Sequence, residues 1–165
     1  MATPGDAISC LDGEWSFGAA QRQRIVSHVS EPVQVTSGVP VQEPPLRPLR
    51  RVVATVEGNA PPELTYAQVR RLLPEVSLPA LGARAEDSEP GFSYGSDQPE
   101  LLVFYELADV ISVDYRYTCQ GRPDYGSVTT WTGMGRGVVR CDGVQPSDPP
   151  EVADVHAIAC PADAS

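Results

Sequence analysis

Residues 110–119, VISVDYRYTC, alternate strictly: Ile111, Val113, Tyr115, Tyr117 and Cys119 share one face of an extended chain, while Val110, Ser112, Asp114 and Arg116 take the other. A period of two over ten residues suits a β-strand with one buried face, and it excludes a helix, whose apolar stripe would recur every three or four residues. Just upstream, LLVFYEL (101–107) is a run of strand-forming apolar residues, set off by Ala108 and Asp109, and reads as a second strand. The strongest pattern in the chain therefore lies in strands, and strands need partners.

Candidates for those partners are spread along the chain. SVTTWT and VVRC flank GMGRG, and folding there places Trp131 opposite Val139 in a hairpin, with VADVHAIAC as a final strand. Residues 20–37 carry Ile25, Val26, Val29, Val33 and Val35 in near alternation and read as one or two strands broken at Pro32; RRVVATVEG (50–58) reads as another. Thr65 stands three residues before Gln68, as in a capping box, and Tyr66, Val69 and Leu73 share a helical face, so one short helix is expected over about 65–73, stopped by Pro74. The expected fold is mainly β, an antiparallel sheet or sandwich with that one short helix.

Prolines divide the chain. Pro40, Pro44, Pro45 and Pro48 fix φ and remove donors, so 38–49 reads as an extended connector between N-terminal strands (1–37) docked on the core and a main disulfide-bonded β domain (50–165). The connector also matches P-x-x-P-x-R, a form of ligand that SH3 domains bind, although a stiff linker accounts for it. Residues 79–99 are the longest loop-like stretch.

Four cysteines, Cys10, Cys119, Cys141 and Cys160, form no C-x-x-C pair, which argues against a structural zinc site and for two disulfides. Cys119–Cys141 with Cys10–Cys160 is the expected pairing. If an intervening strand separates Cys119 from Cys141 in a flat meander, either the sheet folds over or Cys141 pairs with Cys160 instead. Disulfides imply an extracytoplasmic location, secreted, periplasmic or cell-surface. No export signal is legible in MATPGDAISCLDGEW, so a signal or anchor is expected outside this chain, and no apolar run approaches the ~20 residues of a membrane helix.

The formal net charge is −10, and it is uneven: residues 1–71 carry 7 Arg and 7 acids, residues 72–165 carry 5 Arg and 15 acids. Such a surface repels phosphate backbones and anionic lipid, so neither nucleic acid binding nor direct membrane insertion is expected. All 12 basic residues are arginine and Asn59 is the single asparagine, a codon bias of GC-rich genomes.

Chemical motifs are sparse. GFSYG (91–95) fits the G-x-S-x-G nucleophile pattern at Ser93, with His156 as base and Asp154 nearby. A nucleophile elbow needs a strand entering and a helix leaving, and neither EDSEP nor SDQPE supplies one. His28 reads as a mid-strand histidine, and GMGRG as a glycine turn lacking the dinucleotide spacing. The acidic loops lack calcium-loop spacing, so no metal or other cofactor is expected. Phe92, Tyr94 and Tyr125 fall in loops and are the candidate binding residues, because aromatic side chains are enriched at interfaces.

YRYTCQG and GVVRCDG resemble small β domains of secreted or lipid-anchored bacterial proteins, over under a quarter of the chain. The combined expectation is a non-enzymatic extracytoplasmic binding or structural module with a protein or surface partner. Its alternatives are a small serine hydrolase using Ser93 and His156, and a secreted inhibitor presenting the 79–99 loop.

Overall fold

The computed structural model describes Cys10, residues 12–85 and residues 93–162. In chain order its strands are β1 (Glu14–Phe17), β2 (Gln21–Val29), β3 (Val33–Val35), β4 (Val41–Gln42), β5 (Arg47–Pro48), β6 (Thr55–Glu57), β7 (Ser93–Tyr94), β8 (Glu100–Cys119) and β9 (Arg122–Arg140). The helices are α1 (Pro62–Leu72) and α2 (Pro150–Ala159). The fold is mainly antiparallel β, as the alternation requires. Seven strands share one hydrogen-bonded sheet, in the order β5-β2-β8-β9-β6 with β1 and β3 also on β8, while β4 and β7 pair separately.

The two runs expected as separate strands are one 20-residue strand, β8. Ala108 is fully buried within it and is no breaker. At its end the chain reverses through Gln120 and Gly121, whose φ values of 49° and 75° are both positive, the signature of a two-residue type I′ hairpin turn. GMGRG, expected as the turn, lies inside β9, so the hairpin pairing Trp131 with Val139 does not form. Gly137 is there for close approach: a Cβ at that position would run into the Tyr105 ring.

The chain divides into two compact units, and β8 and β9 contribute to both. The first unit comprises the chain through Arg22, Val53–Ala83 and Val110–Thr132. Here β1 lies antiparallel to β8, with Trp15 opposite Tyr117 and Phe17 opposite Tyr115, and β6 pairs with β9. Ile111, Val113, Tyr115 and Tyr117 are buried while Asp114 and Arg116 are exposed, so the alternation lies as the sequence has it. Those four pack with Ala54, Val128 and the buried face of α1, Tyr66 and Val69. That helix begins one turn earlier than expected, with Pro62 at its first position, where a missing N–H is harmless. Thr65 is therefore not a cap. It is buried, donates to the Pro61 carbonyl at 2.8 Å and accepts from Trp15 Nε1 at 3.0 Å.

The second unit comprises Gln23–Val52, Arg84–Asp109 and the chain from Gly133 onward. Residues 102–108 of β8 are buried on both faces. Val103, Tyr105 and Leu107 pack with Val26, Val29, Val139 and Val155 of α2. VADVHAIAC, expected as a final strand, is most of this helix. Val152, Val155 and Ala159 sit at helical spacing against the core, and Pro150 occupies the first helical position, as Pro62 does in α1. The expected strand over 50–58 is reduced to β6, and the Pro-rich stretch contributes only the two-residue strands β4 and β5.

Two disulfides are present, as expected, but neither Cys119–Cys141 nor Cys10–Cys160 forms: Cys10–Cys119 lies in the first unit and Cys141–Cys160, the alternative for Cys141, in the second. The length of β9 runs between Cys119 and Cys141, and at about 3.3 Å per residue it separates them well beyond disulfide reach. Peptide mapping without reductant is expected to recover these two linkages alone. Loop-closure entropy puts removal of Cys141–Cys160 at about 3 kcal/mol and of Cys10–Cys119 at nearly 5 kcal/mol, measurable by urea denaturation of the paired serine variants.

A second expectation concerns Gly126. A Cβ there would overlap the Glu57 backbone carbonyl as well as the Tyr115 hydroxyl, which itself donates to that carbonyl at 2.8 Å. Because backbone cannot step aside as a side chain can, Gly126→Ala should cost about 1–3 kcal/mol in the same denaturation assay.

Candidate functional site

The residues singled out from sequence are dispersed. Ser93 is exposed in β7, a two-residue strand paired with β4 and followed by irregular chain up to β8, so no helix leaves the serine. His156 and Asp154 lie on α2, where residues two apart point in divergent directions, unlike the shared strand face expected of them. His156 Nε2 lies 3.1 Å from the Cys141 carbonyl, and among the described residues no hydrogen bond joins it to Ser93. Phe92 lies outside the described residues, as does the 86–92 part of the 79–99 loop. Tyr94 is half-buried and donates to Glu100 Oε2 at 3.2 Å. Tyr125, expected in a loop, is on β9 and is 67% exposed.

A denser constellation forms in the second unit around Glu106, in the stretch of β8 buried on both faces. Its side chain is fully buried. A carboxylate in such a place requires cations and donors, since burying an isolated charge costs many kcal/mol. Arg136 of β9 brings Nε to 3.5 Å from Glu106 Oε1 and Nη1 to 3.2 Å from Oε2 of Glu43, another carboxylate whose side chain is only 4% exposed. His28 of β2 places Nδ1 3.6 Å from Glu106 Oε2 and 2.9 Å from Ser27 Oγ. Ser27 Oγ in turn donates to the Glu106 backbone carbonyl at 3.2 Å, so its lone pairs face the imidazole and Nδ1 carries the proton.

His28 also lines a cavity of about 400 Å³, together with Arg50, Arg51, Arg84, Leu46 and Val52. Its walls are held by backbone bonds: Leu49 N–H and Arg50 N–H reach the Ser27 carbonyl at 2.8 and 3.4 Å, and Ala85 N–H reaches the Val52 carbonyl at 2.8 Å. His28 Nε2 is the ring nitrogen with no protein partner among the described residues.

Sequence reading passed over this cluster. Its members, 28, 43, 106 and 136, are far apart in the chain, and the one available signal was a glutamate in the apolar run LLVFYEL. Elsewhere, burial and then the neighbouring Glu100 raise the phenol of Tyr94, so it remains a donor. Burial likewise raises Tyr105 and Tyr115, and the hydrogen bond that Arg24 donates to Asp109 raises Arg24. Among the described residues no group of His, Cys, Asp and Glu is placed to hold a metal ion. Comparison with protein-family models, curated proteins and solved structures finds no match to this chain.

Arg136→Met should cost about 3–5 kcal/mol in urea denaturation at pH 7, because it leaves Glu43 and Glu106 buried without their shared cation. Adding Glu43→Gln and Glu106→Gln should recover most of that loss, a non-additivity expected only if the three charges act as one network.

Proposed function

We propose that this chain is a non-enzymatic extracytoplasmic module that binds a protein or surface partner, with Tyr125 as an aromatic anchor. The exposure of Tyr125 carries the reading: a ring 67% exposed on a long paired strand is an amphipathic group held at little conformational cost. One disulfide in each unit fits an oxidising compartment, and no described helix is long and apolar enough to cross a membrane. The dispersal of Ser93, His156 and Asp154 favours binding over hydrolysis, because nucleophilic catalysis needs hydroxyl, base and oxyanion donors together.

The test pairs binding with labelling. Tyr125→Ala should leave stability within about 0.5 kcal/mol of the parent, as surface changes do. Retention of the purified protein on envelope preparations of its source cells should fall by about tenfold, as for an interface hot spot. Unchanged retention would remove Tyr125 from the interface. Stoichiometric labelling by a fluorophosphonate probe, lost in Ser93→Ala, would replace the binding reading with the hydrolase.

A further inference from the structure

The arginines of the second unit fall into two groups. Arg24, Arg47, Arg136 and Arg140 each lie within 3.5 Å of a carboxylate: Asp109 and Glu151, Glu31, Glu43 and Glu106, and Glu100 and Asp142 respectively. Arg50, Arg51 and Arg84 are the unit's remaining arginines, and among the described residues none has a carboxylate in ion-pair range. All three of these arginines line the cavity beside His28.

Three guanidiniums around one cavity repel each other unless an anion lies among them. Each offers planar, paired N–H donors that match the oxygens of a phosphate group, and an arginine remains charged at any working pH. The cavity is within the size range of small-molecule pockets and exceeds what a bare tetrahedral ion fills. Its remaining walls, Leu46, Pro48, Val52 and Ala85, are apolar and suited to an organic group.

We infer that this cavity is a binding site for a small organic phosphate monoester, with Arg50, Arg51 and Arg84 holding the phosphate. The site is separate from the Tyr125 surface and does not depend on the function proposed above. The chain's net charge of −10 opposes a dianion at long range, so affinity has to come from contacts inside the cavity.

The experiment is calorimetric titration of the whole chain at 0.15 M salt with phenyl phosphate, inorganic phosphate, sulfate and benzoate as separate probes. Saturable binding of phenyl phosphate is expected, at least about tenfold tighter than benzoate, because the guanidinium hydrogen bonds are charge-assisted and matched to a tetrahedral dianion. Phenyl phosphate binding tighter than inorganic phosphate and sulfate assigns the apolar wall to the organic group; equal binding of all three tetrahedral anions overturns the monoester. Arg51→Gln alone should weaken phenyl phosphate several-fold, and the triple variant Arg50→Gln/Arg51→Gln/Arg84→Gln should abolish saturation with an unchanged thermal melt. No saturation below about 10 mM, a level at which binding is weaker than ~3 kcal/mol, overturns the site. So does undiminished binding by the triple variant.

Discussion

Strand β8 is the member on which the rest of the sheet depends. Its backbone hydrogen-bonds β2 and β9 along the sheet and also takes β1 and β3, so two stretches of the N-terminal chain and the strand that follows it are all in register with it. Side chains from its two halves enter separate cores. Ile111, Val113, Tyr115 and Tyr117 belong to one, Val103, Tyr105 and Leu107 to the other. One strand is thereby asked for two patterns. Toward its C-terminus one face is wet and the residues alternate, whereas from 102 to 108 both faces are covered and the sequence turns continuously apolar.

Glu106 follows from that constraint. Lying in the doubly covered stretch, it has no route to solvent on either face, and its neighbours must supply what water would have done. β9 brings Arg136 and β2 brings His28, the two strands adjacent to β8 in the sheet. Arg136 is in turn shared with Glu43, which ties the Pro-rich stretch to the sheet by an ion pair beside the short β5–β2 ladder. The glycines of β9 belong to the same account: Tyr115 and Tyr105 on β8 are too large to lie across β9 unless the backbone beneath them is bare, at Gly126 and Gly137.

Much of this was legible in the chain, and the misses have local causes. Alternation from Ile111 to Tyr117 reports one buried face directly, so the strand and its core side follow from pattern alone. The tripeptide Pro-Pro-Glu occurs at 61–63 and again at 149–151, and both times it opens a helix, with Pro at the first helical position and Glu63 or Glu151 in the first turn. Only the first was flanked by a capping-box pattern, and the second was obscured because VADVHAIAC mixes β-branched residues with alanine. GMGRG resembled a turn because glycine signals positive φ and close packing with the same letter, and here packing prevails. Disulfide pairing depended on β9 being continuous through those glycines. The cluster around Glu106 was beyond sequence because its parts converge only through strand order.

Arginine, the only basic residue type the chain uses apart from histidine, fills electrostatic roles here that differ in consequence. Between Glu43 and Glu106, Arg136 is 21% exposed and its charge is answered on two sides, so it acts as a structural brace. Arg50, Arg51 and Arg84 are exposed, with their backbone fixed by bonds to β2 and across the cavity wall. His28 stands between the two groups. Its Nδ1 lies beside the buried carboxylate of Glu106 and the Ser27 hydroxyl, and its ring is part of the arginine-lined cavity wall. A neutral side chain in place of Glu106 would relieve its burial and at the same time release the imidazole to rotate, since Ser27 Oγ alone would then hold Nδ1. The buried charge of Glu106 is thus answered from two strands, by Arg136 of β9 and His28 of β2, and the same contacts that answer it fix the position of the imidazole.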